Sequence, residues 1–233
     1  MKAQPLTTEL LDELSGFDQS ILLSEFKQRR YLFECDKAIR VDPAEGYMCK
    51  AIVYALSNDF DKMYESFKIA MRLAPSDELI KANFIVSLGN FGRFKEMIEM
   101  LDPQMAIEGS TQLHAFFRAL VSTLELDVLK EINIPYANNI EQSLKDLDLN
   151  LEDVKGYISL FNNLMYQKKV RFGVVPSISW IIEDGDLFVY YDFVGTAAES
   201  MEIMDEFDKL ANDLGLRHIA RKVTIVLMPL TVC

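Results

Sequence analysis

The 233-residue chain is poor in cysteine, histidine, glycine and proline, and none of its apolar runs is long. Its three cysteines, Cys35, Cys49 and Cys233, are odd in number, with neither a Cys-x-x-Cys pair nor regular spacing. That argues against a disulfide framework or a structural zinc site and fits a reducing compartment. Two histidines, His114 and His218, are too few for a histidine-built metal centre, and neither has a serine or cysteine at catalytic spacing. There is no Walker phosphate loop, no GxGxxG after a strand, no HExxH and no GxSxG. No apolar run approaches the ~20 residues that span a bilayer. The opening MKAQPLTTELLDELSG lacks the apolar core of a signal peptide, which predicts a cytoplasmic protein without membrane contact. Basic residues are outnumbered 24 to 36, for a formal charge of −12 spread along the whole chain. Such a surface repels phosphate backbones and excludes general nucleic-acid binding; acidity of this kind also serves solubility.

What the chain does have, up to about Asn150, is helical periodicity. In NDFDKMYESFKIAMRLAP, residues 58–75, the apolar Met63, Phe67, Ala70 and Met71 recur on one helix face, and Pro75 stops the helix. CDKAIRVDP ends at Pro43 as FKIAMRLAP ends at Pro75, pairing Ala38 with Ala70 and Arg40 with Arg72 at an offset of 32 residues. On these residues, 44–75 resembles a tetratricopeptide repeat, a helix–turn–helix unit with a period of ~34 residues. Tyr47 and Tyr54 stand at its aromatic positions, Ala51 at the small contact position, and Asn58-Asp59-Phe60 resembles the family's Gly-Asp-Tyr turn. Phe67, Ala70 and Pro75 complete its second helix. A weaker unit over 76–102 carries Phe84, Ile85 and Leu88, a Gly92-Arg93-Phe94 turn, then Met97 and Leu101. A half-unit with Cys35 and Ala38 precedes them, and a hairpin over 112–132 fits the period without the signature residues. Met63 and Ile85 replace small residues of the pattern, which makes the helix spacing irregular. The physical need is independent of the family: a two-helix unit cannot bury its apolar stripe alone, so units must stack. A bulky residue at Ala70 is expected to cost about 1–3 kcal/mol by overpacking.

After Asn150 the texture changes. Asn150 caps a helix over 151–168 with Val154, Ile158, Phe161 and Met165 on one face. SISWII and LFVYYDFV follow as strands, joined through Glu183-Asp184-Gly185-Asp186, where Asp-Gly marks a hairpin. Thr196 and Glu199 form a capping box for a helix whose buried stripe reads Met201, Met204, Phe207, Ala211 and Leu214, with Gly215 at its end. KVTIVLMPL closes the chain as a strand. The expectation is an α+β protein: tetratricopeptide-like helical repeats over 1–149, then a small α-β-β-α-β module over 150–233. Its mixed sheet would set the LFVYYDFV and KVTIVLMPL strands parallel across a helical crossover, with helix 197–214 on one face and helix 151–168 on the other face or against the repeats. The apolar last strand is either central in that sheet or pairs across a homodimer.

No cofactor or metal is expected. His114 reads as a packed or surface residue, His218 as part of a solvated basic turn, Trp180 as core or interface, and Gly89 and Gly92 as turn glycines. The acidic hairpin turn is too short for a calcium loop. The resemblance implies that first helices of successive units line a groove for an extended peptide or a helix, here through Met48, Ile52, Ala82 and Val86. These are not the lysines and asparagines of the family's carboxylate-clamping members, so a clamp co-chaperone is not implied. A methionine-bearing apolar groove suits a hydrophobic segment. A later helix of the same chain, 138–146 or 151–168, competes for that groove. The first functional reading is a non-catalytic adaptor or regulator binding a polypeptide segment, with Met48→Glu or Ile52→Glu abolishing capture at unchanged melting temperature. The alternative is an acidic inhibitor or immunity-type protein blocking a basic site, including a nucleic-acid-binding one. Salt separates the two: affinity for a basic target should fall steeply between low and moderate ionic strength in a titration, whereas an apolar groove should be nearly indifferent.

Overall fold

The computed structural model describes residues 6–17, 21–100, 117, 119–131, 135–172, 181–183 and 186–230. The chain is α+β and divides into two compact units, Met1–Ser87 and Leu88–Thr231, the division falling inside a helix.

The first unit is a run of helices, α1 (Leu6–Ser15), α2 (Glu25–Val41), α3 (Pro43–Ala55), α4 (Phe60–Leu73) and most of α5 (Glu78–Asn90), with a single residue between α2 and α3. Polar residues punctuate the starts. Ser24 accepts from the Lys27 amide at 3.4 Å, Asp42 from Glu45 at 3.1 Å, Asp59 from Lys62 at 3.3 Å, and Asp77 from Leu79 and Ile80 at 2.9 and 3.1 Å. Each such cap satisfies an amide that the helix itself leaves open and contributes about 1 kcal/mol. Asp42 serves two helices, since its own N–H donates to Ala38 at the end of α2. Pro43 is therefore a first-turn proline of α3, where a missing N–H costs nothing, rather than only the stop of the phrase before it. Asn58 has φ +54°, so it takes the left-handed turn role that glycine has in the family pattern.

Successive helices close one core. Leu10 and Leu14 of α1, Tyr31, Cys35 and Ala38 of α2, and Cys49 and Val53 of α3 are buried together. The Tyr31 hydroxyl donates to Glu13 at 2.6 Å. Met63, Phe67 and Ala70 of α4 are fully buried, as is Ala51 of α3. The Phe67 ring stacks on Phe84 of α5 at 5.0 Å, with Tyr64 edge-on to the same ring at 5.4 Å. Tyr47 and Tyr54, read as interlayer fillers, are only half-buried. Helix backbones approach closely at Gly46: a Cβ there would lie 2.5 Å from the Ile39 nitrogen and 2.7 Å from its Cα.

The second unit begins in α5 and continues through α6 (Phe94–Met100), a helical stretch at 119–122, α7 (Leu126–Glu131), α8 (Pro135–Asp146) and α9 (Leu151–Gln167). Much of the 112–132 hairpin, with His114, lies outside the described residues. Gly89 sits inside α5 against the Met97 sulfur, not in the turn; Gly92 makes the turn, with φ +71° and no space for a Cβ beside the Phe172 ring. β1 (Ile181–Glu183) pairs antiparallel with β2 (Asp186–Val194), and β3 (Val223–Leu230) pairs parallel with β2. Glu183 faces Asp186; residues 184–185 between them, and 177–180 with Trp180 from the expected first strand, lie outside the described residues. Between β2 and β3 run α10 (Ala197–Asp213) and α11 (Arg217–Ala220). The Thr196–Glu199 capping box is present, as is the Asn150 cap of α9.

The sheet buries one face. Leu187, Val189, Tyr191 and Phe193 of β2 and Val223, Ile225 and Leu227 of β3 are buried, while their neighbours Phe188, Tyr190 and Val226 are half-buried and Thr224 and Met228 exposed. The expected stripe of α9 is right in phase: Val154, Ile158, Phe161 and Met165 are all buried. Phe161 meets both Tyr191 of β2 at 4.8 Å and Phe207 of α10 at 5.2 Å. Thus α9 and α10 share the buried face, rather than taking opposite faces. For α10 the expected stripe holds at Phe207 and Ala211, which are buried, but fails at its ends: Met201 and Leu214 are 70% and 62% exposed, and Ile203 is buried instead. The helix carries apolar residues round much of its circumference, and the sheet selected the arc at i, i+4, i+8.

Among the described residues β3 is an edge strand. Leu187 N–H donates to Lys222, so by alternation the odd residues of β3 turn their backbone groups away from β2. Pro229 therefore removes no ladder bond, and the outward Leu227 carbonyl accepts from Ser200 Oγ of α10 at 2.6 Å. Both features blunt the edge against pairing with a second chain.

Helix propensity alone would make Gly46→Ala stabilising by up to about 1 kcal/mol. The backbone of Ile39 blocks the added methyl, so the sign should reverse, and urea unfolding should show a loss on the order of 1–3 kcal/mol.

Candidate functional site

The four residues read as groove-lining lie on α3 and α5, within the first unit. The helices adjoin where Asn83 Nδ2 lies 3.7 Å from the Met48 sulfur while donating to the Leu79 carbonyl at 2.9 Å. Met48 is fully buried and offers no surface; its flexible thioether fills the seam between the helices. Ile52 is half-buried and packs against the α1–α3 core, and Ala82 and Val86 are half-buried one turn apart on α5. Asn83 lies beside them and went unnoticed in the sequence, although an asparagine between Ala82 and Phe84 in an apolar helix is a visible irregularity. The resulting face has apolar side chains to cover and an amide at its margin. It has no nucleophile or base.

The thiols supply none either. Cys35 and Cys49 are fully buried, and burial, helped by Cys49 in one case and Glu45 in the other, pushes each up to about 12. His218 is exposed on α11, its Nδ1 3.2 Å from the Gly215 carbonyl. Among the described residues no three histidine, cysteine or carboxylate side chains converge as a metal site, and no helix is long and apolar enough to cross a membrane.

The second unit holds two concavities that sequence reading missed. One, of about 170 Å³, lies between the turn at Gly92 and α9 and is lined by Arg93, Glu96, Thr123, Ser159, Asn162 and Tyr166. Arg93 pairs with Glu96, and its guanidinium carbon lies 4.5 Å from the Tyr166 ring centre. Arg93 Nε and Asn162 Oδ1 are buried without a hydrogen bond, and the space suffices for several waters to satisfy them. The other is a broad hollow of about 880 Å³ whose charges, Asp205, Asp208, Lys209, Arg217 and Arg221, are of both signs.

Two known proteins are similar to part of the chain. The peroxisomal targeting signal receptor of Saccharomyces cerevisiae is 27% identical over 103 residues, which is 44% of this chain and 16% of the receptor. The protein of the same name from Candida glabrata is 26% identical over 103 residues, 17% of its length. The chain thus matches only about a sixth of either relative. No family model matches the chain. No solved structure matches it. The similarity and the consecutive helical hairpins are consistent with tetratricopeptide-like repeats and with a protein-binding role.

A free thiol ionises near 8.5, so as pH rises the unfolded chain releases the Cys35 and Cys49 protons first. Their contribution to stability is intact below about pH 8.5 and is lost from there towards 12. In a Cys233→Ser background at neutral pH, a thiol reagent should label these two cysteines no faster than the first unit opens; immediate labelling would contradict their burial.

Proposed function

We propose that the helical hairpins hold an apolar segment of another polypeptide against the α3–α5 face, and that the protein is a non-catalytic, cytoplasmic adaptor or regulator. The observation that supports this most is that Ile52, Ala82 and Val86 are half-buried on two helices that adjoin at Met48 and Asn83. Side chains in that state still expose apolar area that a ligand can remove from water, at about 25 cal/mol per Å². The relatives are named as receptors for a peroxisomal targeting signal, and this favours a recognition role for the matching helices here. The second unit, whose outer sheet face carries Phe188, Tyr190 and Val226, would supply a further contact. The blunted β3 edge disfavours a homodimer built by strand pairing.

Burial changes the choice of variants. Met48→Glu would place a carboxylate in a closed seam and should unfold the unit, so it cannot report on capture. A photo-crosslinking residue at Val86 should trap a discrete host polypeptide, while the same residue at Glu65, exposed on α4, should not. Val86→Glu should lower the yield roughly tenfold without a large fall in melting temperature, since one unmatched charge costs at least ~1.4 kcal/mol of binding. Equal trapping at both positions would refute the groove.

A further inference from the structure

The outward face of α2 separates charge from the rest of the molecule. At about 100° per residue, the arc within about 60° either side of Phe26 holds Phe26, Arg29, Arg30, Phe33, Lys37, Arg40 and Val41. It contains four cations, three apolar residues and no acid, in a chain of net charge −12. Its aromatics are not packed away: Phe26 is 80% exposed and Phe33 61%. They stand seven residues apart, about 10 Å along the helix. The Lys37 ammonium sits 4.3 Å from the Phe33 ring centre. The acids that do approach lie beside the arc: Glu25 pairs with Arg29, Glu13 of α1 with Arg30 at 3.2 Å, and Glu34 with Lys37 at 2.9 Å. Exposed pairs of this kind contribute little and exchange readily for a partner's carboxylates.

We propose that this face docks an acidic amphipathic helix of a partner protein, lying along α2. A seven-residue spacing of aromatics matches the heptad spacing with which one helix presents apolar residues to another. Carboxylates flanking that partner's apolar stripe would meet Arg29, Arg30, Lys37 and Arg40. A narrow helix feels mainly the charges within a Debye length of about 8–10 Å, where Arg29, Arg30, Lys37 and Arg40 face the ligand and Glu25, Glu13 and Glu34 stand beside them. A nucleic acid or an anionic bilayer is broad enough to meet the negative remainder of the chain, and both are disfavoured. The face lies on α2, outside the α3–α5 row, and does not depend on it.

Fluorescence anisotropy of the full chain with a labelled three-heptad peptide, leucine at a and d and glutamate at e and g, tests this directly. The glutamate peptide should bind, its lysine counterpart should not, and raising salt from low to high should weaken binding roughly tenfold or more. Phe26→Ser with Phe33→Ser should also cost roughly tenfold while leaving the melting temperature unchanged, because both rings are solvent-exposed. Arg29→Glu with Arg40→Glu should do the same. No binding of the glutamate peptide, binding indifferent to these variants, or binding only to phosphatidylserine vesicles would overturn the proposal. Because none of these variants touches Val86, loss here with crosslinking at Val86 intact separates this face from the groove.

Discussion

Where Gly46 passes Ile39, no side chain separates α2 from α3. That backbone approach lets Asp42 close one helix and open the next within a single residue. It also draws Cys35, Ala38, Cys49 and Val53 into one core with α1. Further along, ring stacking takes over from close approach: Phe67 on Phe84 joins α4 to α5. The first unit thus alternates contacts that need small residues with contacts that need large flat ones. A two-helix hairpin could close neither alone, because each leaves half of its apolar stripe in water.

The second unit is organised differently. Its sheet is covered on one face by two helices whose aromatic side chains converge, with Tyr157 and Phe161 of α9 meeting Phe207 of α10 and Tyr191 of β2. Burial raises the Tyr157 and Tyr191 hydroxyls well above the usual tyrosine range, and Arg171 is brought down to about 10 by the same cause. The Tyr191 hydroxyl, Asn162 Oδ1 and Ser122 Oγ are buried without hydrogen bonds, which is expensive in a low-dielectric interior. Water is the simplest means of satisfying buried polar groups of this kind.

Functionally, the molecule's most distinctive features are surfaces rather than reactive groups. Among the described residues, Cys35 and Cys49 are buried and hard to ionise, and the exposed His218 has its Nδ1 near the Gly215 carbonyl. What is exposed in an organised way is the aromatic pair on α2 set among cations, while Ile52, Ala82 and Val86 on α3 and α5 are half-buried. The acidic composition points towards basic partners as a global property, whereas α2 presents the opposite sign locally. At physiological ionic strength the local sign governs a slender ligand.

The sequence by itself determined the elements. Caps at Asn150 and Thr196, the turn at Asn58-Asp59-Phe60, the helical hairpin over 44–75 and the α-β-β-α-β order were all read from sequence, because each depends on neighbours within a few residues. The stripe on α9 was legible too, since only one face of that helix is apolar. Tertiary structure decided the rest. Met201 and Leu214 were indistinguishable from Ile203 by hydropathy until the sheet chose an arc of α10. Met48 looked like surface until α5 closed over it, and α9 shares a sheet face with α10 that local pattern does not specify. Period and capping are written in backbone geometry near each residue, whereas burial depends on which distant element arrives, and an apolar side chain reads the same on either side of that encounter.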